Sequence, residues 1–204
     1  MLLAYFVPLS IVSFSGLSSS IVVYMLFIIS GFGMAGIGMG IMHDALHGTY
    51  SANKMVNRIM GYTMNIIGAS DTVWKLQHNV LHHSFTNIEH HDDDINAPFF
   101  LRFSPHSKKN KLHKYQHLYV WLFYGLSTMS WVTAKDFIRL TRYRKMGLIK
   151  SSREFNNALM KIIVWKLFYY CYMLLLPLIL SPVASVHIIL AFLSMHFVTG
   201  LTIS

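Results

Sequence analysis

Acidic side chains are scarce in this sequence: eight Asp and Glu stand against 17 Lys and Arg, and only 12% of the 204 residues carry a charge of either sign. With 54% of the residues hydrophobic, that scarcity excludes an ordinary soluble domain, in which about a quarter of residues are charged. An integral membrane protein is what remains. The formal charge of +9 would suit nucleic acid only on a soluble, patterned face, so no nucleic-acid partner is expected. Cysteine is nearly missing. Cys171, alone within an apolar run, excludes an internal disulfide, an iron–sulfur cluster and a cysteine-rich zinc site, and is expected to be a small buried hydrophobe. Lys and Arg are absent from both ends, all 17 falling between Lys54 and Lys166. The apolar N-terminus has no basic lead-in and no clear small-residue cleavage site, so no secretory leader is expected. Repeats and low-complexity tracts are also lacking, apart from one glycine-rich stretch.

What is present organises around apolar runs. Leu2 to Phe14 reads as part of a membrane helix, although a crossing needs about 20 residues. Ile21 to Met42 is long enough to cross roughly 30 Å of hydrocarbon at 1.5 Å per residue, and it delivers His43 to the water interface. Leu159 to Leu180 and Val183 to Ser204 are parted by Ser181 and Pro182, a tight turn between antiparallel spans. Fifteen of the 17 basic residues lie between His43 and Asn157, which makes that segment cytoplasmic by the positive-inside rule. Leu118 to Ala134 is apolar but has Lys or Arg on both flanks, so it is expected in the interface plane or dipping partway in, with Tyr119, Trp121, Phe123, Tyr124 and Trp131 facing lipid or the bundle. The expected architecture is all-α: an integral membrane bundle of four transmembrane helices (about 2–14, 21–42, 159–180 and 183–204) with a helical cytoplasmic cap, 43–157, and an interfacial helix at about 118–134.

Gly31, Gly33 and Gly36 satisfy the GxGxxG spacing of a dinucleotide fingerprint. That motif needs a preceding strand, a following amphipathic helix and a downstream acid in a parallel αβ unit, and none of this context surrounds them. Inside an apolar span, Gly36 and Gly40 are instead expected to let a neighbouring helix approach closely.

The chemistry lies in His43-Asp-Ala-Leu-His47 and, downstream, His78-Asn-Val-Leu-His82-His83. On an α-helix, residues four apart differ by about 40° of rotation, so each spaced pair projects from one face and can grip one metal. His83 follows His82 by about 100°, toward a different point, which suits a second metal nearby. Imidazole suits iron, copper and zinc; oxygen chemistry with open coordination positions narrows the choice to iron, while ligand type alone leaves zinc open. Five histidines in two spaced clusters beside a membrane are a functional pattern rather than scattered core residues. Metal-bound imidazoles usually donate their other nitrogen to a carboxylate or carbonyl, which makes Asp44, Asn79 and the Asp92 to Asp94 run, Asp92 and Asp94 in particular, candidate orienting partners. The same acidic run reads equally as a solvated loop.

His-Asp-Ala-Leu-His-Gly at 43–48, Trp74, His-Asn-Val-Leu-His-His-Ser-Phe-Thr-Asn-Ile at 78–88 and Asp-Asp-Asp-Ile at 92–95 together resemble the membrane fatty acid desaturases. Tyr115-Gln116-His117 and Asp136-Phe137 add similarity to the bacterial front-end, linoleoyl-CoA-like branch. The resemblance implies a four-span bundle in a bacterial inner membrane, with a cytoplasmic di-iron centre that uses dioxygen to insert a double bond into an acyl chain lying in a narrow apolar tunnel. It makes His43, His47, His78, His82 and His83 ligands of two iron ions, and a fatty acyl-CoA or acyl-lipid the substrate. No His-Pro-Gly-Gly haem motif occurs, so electrons are expected from a separate ferredoxin or haem protein, for which the basic face is a docking surface; anionic lipid or a coenzyme A phosphate fits the same charge. The family's third histidine box would lie beyond Ser204, so the chain is expected to be an incomplete desaturase domain, inactive alone. His90 and His91 are expected to be partial substitutes or loop residues, and His106, His113, His117, His187 and His196 structural or interfacial. Two alternatives share the residues: a related membrane di-iron hydroxylase, and a non-catalytic metal-binding membrane protein.

Overall fold

The computed structural model describes residues 1–88, 90–93 and 95–204, and all regular structure among them is helical, with no strand. Three helices are long and apolar enough to cross a membrane: α2 (Ser20–His47), α6 (Ser152–Leu180) and α7 (Ser185–Ile203). The apolar α1 (Leu2–Phe14) is shorter. Between α2 and α6 lie α3 (Lys54–Gly61), α4 (residues 71–82) and α5 (residues 116–145). Short helical turns at Thr63–Ile66 and Lys111–Tyr115 complete the element list.

Composition explains which faces go where. Along α6, Met160, Val164, Leu167, Phe168, Leu175 and Ile179 recur at helical spacing and stay exposed, as do Ile21, Met25, Ile29 and Phe32 on α2. Water does not tolerate apolar stripes of that extent, whereas lipid does. Cys171 belongs to the same outer surface of α6, not to the core where it was expected. The opposite faces meet in one core, with Tyr5 and Val12 of α1, Phe27 of α2, Tyr169 and Met173 of α6, and Ile188 and Met195 of α7 almost wholly enclosed. Polar atoms inside this core find partners on other helices, as an apolar surrounding demands. The Tyr5 and Tyr172 hydroxyls lie 2.7 Å apart, Ser30 Oγ donates to the Tyr5 carbonyl at 2.9 Å, and Thr199 Oγ1 donates to the Gly31 carbonyl at 3.0 Å.

The close-approach glycines are not the pair singled out from spacing. A Cβ on Gly31 would sit 2.8 Å from the Met195 carbonyl oxygen of α7, and one on Gly33 2.5 Å from the Tyr5 nitrogen of α1. Gly36 faces only the flexible Met1 side chain, and Gly40 faces open space. Glycine permits contact only on the face that packing chooses, and here α2 turns Gly31 and Gly33, not Gly40, toward its neighbours.

The helix expected at 118–134 extends from Gln116 to Lys145, and it packs along α7: Gly125 meets the Phe197 ring and Gly200, and Thr128 Oγ1 donates to the His196 carbonyl at 2.7 Å. A second apolar cluster joins Val73 and Leu81 of α4, Leu140 and Tyr143 of α5, and Ala158 and Ile162 of α6. Two buried or half-buried ion pairs tie the same three helices: Lys161 Nζ reaches Asp71 Oδ1 at 2.6 Å, and Lys166 Nζ reaches Asp136 Oδ2 at 2.8 Å. Burial raises the Asp136 carboxyl above its ordinary range, and the Lys166 charge pulls it back down.

Candidate metal centre

The first histidine pair sits on the last turns of α2. The helix stops directly after His47 because Gly48 takes a left-handed conformation, φ 80°, which releases the chain without a Cβ clash. Asn57 then holds the following loop, donating to the Gly48 and Ser51 carbonyls at 2.8 Å each and accepting from Ser51 N at 2.8 Å. The second group sits on α4, which starts where Ser70 Oγ accepts from Val73 N at 3.3 Å. The two elements are joined at the site itself: Asn79 Nδ2 donates to the Leu46 carbonyl at 3.2 Å, one of the carbonyls that a helix end leaves without an internal partner.

α4 does not keep α-helical winding. From Lys75 to His82 it widens so that each N–H reaches five residues back, and α2 widens in the same way from Ile37 to Met42. In that winding residues five apart return to roughly the same face, a device frequent at functional sites, although α5 and α6 also widen, at Trp131–Lys135 and Cys171–Leu175. His83 is therefore not swung away from His78 as α-helical geometry predicts. Its ring centroid lies 4.9 Å from that of His78 and 5.0 Å from that of His47. His82 stacks on His78 at 5.2 Å, and His43 lies 4.6 Å from His47 and 5.3 Å from His78. All five rings form one contiguous cluster, half-buried except at His83, which opens to solvent.

Within it, His43, His47 and His78 each present a ring nitrogen, and the three nitrogens lie within 4.8 Å of one another. Metal–nitrogen bonds of about 2.1 Å place two ligands of one ion up to roughly 4 Å apart, so a small inward movement would let the three grip a single cation. Trp74 covers the apolar side, stacked on His78 at 4.5 Å and edge-on to His43 and His47 at 5.8 and 5.6 Å.

Of the orienting candidates, Asp44 Oδ1 lies 3.0 Å from His43 Nδ1, and Asp92 Oδ1 lies 3.0 Å from His82 Nδ1. A proton held on Nδ1 by either carboxylate leaves Nε2 of that ring with its lone pair for a metal. Asn79 bonds the Leu46 carbonyl, as described, and Asp94 falls outside the described residues. The acidic run is not a solvated loop where it is described. Asp92 is enclosed, its Oδ2 accepting from Asn87 N at 2.9 Å. Asp93 is enclosed too, gripped by Arg139 at 2.5 Å, Arg142 at 2.5 Å and the Tyr143 hydroxyl at 2.7 Å. Burial, then the hydrogen bond to Asp93 and its charge, push the Tyr143 hydroxyl up, so it remains a donor. Sequence reasoning missed this anchorage of the second box to α5. Its trace in the sequence is the Arg139–Arg142–Tyr143 face at helical spacing, which has no local acid except Asp136. Away from the cluster, His113 Nε2 binds the Phe99 carbonyl at 3.0 Å, and buried His196 Nε2 meets the Tyr169 hydroxyl at 2.7 Å.

The fatty acid desaturase family model matches residues 19–202, which include every element of this cluster. The chain belongs to the fatty acid desaturase family. It is 41% identical over 107 residues to an sn-1 linoleoyl-lipid 6-desaturase of Arthrospira platensis, covering 52% of this chain and 29% of that protein. It is 31% identical over 190 residues to an acyl-lipid (8-3)-desaturase of Physcomitrium patens, covering 90% of this chain and 38% of that one. An sn-1 linoleoyl-lipid 6-desaturase of Synechocystis is 35% identical over 98 residues, 48% of this chain and 27% of that protein. The chain thus spans roughly a third of the length of these curated relatives. No solved structure matches it.

Beside the histidines of this desaturase-family chain lies a cleft of about 530 Å³ bordered by Trp74, His78, Tyr124, Trp131 and Ile203. It adjoins a narrow apolar seam between Met34, Met42, Met64, Ile67, Trp131 and Ile203. Trp131 and Ile203 face both spaces, so the apolar interior of the bundle leads toward the imidazole cluster.

Proposed function

We propose that the five imidazoles hold a pair of iron ions for the dioxygen-dependent insertion of a double bond into the acyl chain of a membrane lipid. The observation that carries this reading is the single cluster of His43, His47, His78, His82 and His83, built from two elements that the sequence separates by 30 residues. Neutral imidazoles suit iron and leave it open positions. Bound iron would supply the oxygen chemistry able to take hydrogen from an unactivated methylene. The protein's part is positional. Asp44 and Asp92 hold the tautomers of His43 and His82, Asn79 fixes one box against the other, and Trp74 shields the cluster. The seam between α2, α5 and α7, about 20 Å³ as it stands, would open to admit the acyl chain and select which carbons approach.

The membrane arrangement belongs to the same proposal: α1, α2, α6 and α7 make four spans, and the histidine boxes lie with the basic segment on the cytoplasmic side of the membrane. Acyl-lipid substrates are favoured over acyl-CoA because the relatives named above are acyl-lipid desaturases. Removing two hydrogens while reducing dioxygen to two waters requires two further electrons and two protons, which a separate ferredoxin or haem protein would deliver.

Metal analysis of the purified chain tests the site. Iron is expected to co-purify, and His47→Ala or His78→Ala is expected to remove most of it; preferential retention of zinc, or iron content indifferent to both substitutions, would defeat the reading. Mass analysis of lipids from cells expressing the protein then separates the outcomes of the chemistry: a loss of two hydrogens supports desaturation, whereas a gain of oxygen points to hydroxylation.

A further inference from the structure

The most uneven charge in the chain lies away from the histidines. No Asp or Glu occurs between Asp94 and Asp136, yet Arg102, Lys108, Lys109, Lys111 and Lys114 all fall there. Four cations elsewhere have acidic partners, Arg139 and Arg142 in Asp93, Lys161 in Asp71 and Lys166 in Asp136. Of the five between Asp94 and Asp136, four, Arg102, Lys109, Lys111 and Lys114, without an acidic partner among the described residues, line one broad cleft of about 960 Å³.

The cleft is cross-braced rather than a chance gathering of surface lysines. Asn110 Nδ2 and His113 Nε2 both bind the Phe99 carbonyl, at 2.8 and 3.0 Å, and Asn110 N donates to His113 Nδ1 at 3.1 Å, which sets the neutral tautomer of that ring. Gln116 joins the first turn of α5 to the Arg102 backbone through both its amide atoms, at 2.7 and 3.2 Å. The Arg102 guanidinium closes the loop on the Pro105 and Ser107 carbonyls.

Its position relative to the spans follows from the packing of α5 on α7. Thr128 meets His196, Gly125 meets Gly200, and Tyr124 borders the same cleft as Ile203. Each step toward the start of α5 is therefore a step toward the end of α7. Tyr124 also shares that cleft with His78, next to the turn at Gly48 where α2 ends, so the basic cleft, a few residues earlier in α5, lies on the side of the bundle where the α2 span leaves hydrocarbon. Directly beside it Leu118, Trp121 and Leu122 stand exposed on the outer face of α5. Cations next to an exposed Trp and Leu ridge, at the end of a span, are complementary to a lipid headgroup region with its acyl boundary.

We propose that this cleft binds the phosphate of an anionic phospholipid, with Lys109, Lys111 and Lys114 supplying the charge and Leu118, Trp121 and Leu122 entering the adjoining lipid. It rests on the membrane-spanning part of the reading above and is independent of the iron site. Recovery of the chain in alkali-washed membranes checks the embedding by itself. For the cleft, the full chain is reconstituted in vesicles of equal phosphatidylglycerol and phosphatidylcholine with identical acyl chains, then extracted in mild detergent, and the retained lipid is measured by mass spectrometry. Phosphatidylglycerol is expected to be enriched at least about fivefold, the effect of one well-placed lysine near an anionic surface. The combined variant Lys109→Gln, Lys111→Gln, Lys114→Gln should lose the enrichment, while Lys54→Gln, Lys145→Gln, Lys150→Gln, which removes the same charge elsewhere, should keep it. Helicity by circular dichroism confirms that both variants are folded. Equal retention of the two lipids, enrichment unchanged in the first variant or lost equally in both, or displacement of the lipid by millimolar coenzyme A would overturn the assignment, the last in favour of a soluble phosphate ligand.

Discussion

Asp92 is the side chain whose removal separates orientation from ligation. It touches His82 Nδ1 at 3.0 Å and is enclosed, so it holds one ring without facing a metal. Loss of such an outer partner typically costs about 10- to 100-fold in metal affinity. Asp92→Ala is accordingly expected to weaken iron binding by that factor in a chelator competition, less than the near-complete loss expected for His78→Ala. Affinity equal to that of the unaltered chain would remove Asp92 from the site. The ligand candidates were legible residue by residue, because five histidines in two spaced groups are improbable as scattered core residues. The partner of Asp93 was not, since Arg139 and Arg142 lie 46 and 49 residues downstream and their pairing depends on where α5 lands.

At the level of elements, the wide turns in α2 and α4 matter most, because a period of 3.6 residues places His83 in the wrong direction and the wider winding brings it to His78 and His47. Helix packing provides a sharper quantitative test. A Cβ on Gly200 would run into the Tyr124 and Gly125 carbonyls of α5, backbone atoms that cannot rotate away. Gly200→Ala is expected to destabilise the bundle by about 1–3 kcal/mol, the usual cost of overpacking, and to lower the thermal midpoint in detergent. Gly40→Ala, where nothing lies within 4 Å, should instead be neutral or stabilising by up to about 1 kcal/mol, as helix propensity dictates. A pattern in the opposite order would mean that Gly36 and Gly40, the pair chosen from spacing, form the contact face after all. The four apolar runs were readable as helices from composition. Which glycine each helix turns toward its neighbour was not, because glycine has no side chain to carry the pattern.

For the molecule as a whole, the Lys166–Asp136 pair is a keystone. Lys166 Nζ also donates to the Gly68 and Trp131 carbonyls, at 2.9 and 2.7 Å, so one ammonium binds α5 and α6 to the loop that leads into α4. Removing one partner of a buried pair typically costs about 3–5 kcal/mol, because the other charge is left uncompensated. Lys166→Met should show this in detergent unfolding, and Lys166→Met with Asp136→Leu should regain a large part of it. The pH dependence has a definite sign. Burial already raises the Asp136 carboxyl, and without Lys166 it rises further. The folded variant then holds a proton that the unfolded chain has released, so its deficit is largest near neutral pH and shrinks as pH falls through the raised value toward the ordinary carboxylate range. A deficit independent of pH would mean that Asp136 carries no charge in the native pair.

Composition and local spacing alone determined that the chain is helical and apolar enough for a membrane, and pointed to two histidine groups as the candidate site; the motifs around those histidines carry the resemblance to the fatty acid desaturases. Those are properties of runs and of neighbours in sequence, which periodicity reports directly. Tertiary structure decided the rest: the convergence of both groups under Trp74, the enclosure of Asp92 and Asp93, the contact faces of the glycines, and the ion pairs that fasten α4, α5 and α6. Each of these needs two elements to meet, as Tyr5 meets Tyr172 across 167 positions. Where helices widen and how they pack is settled by the burial of all faces together, and no local pattern encodes it.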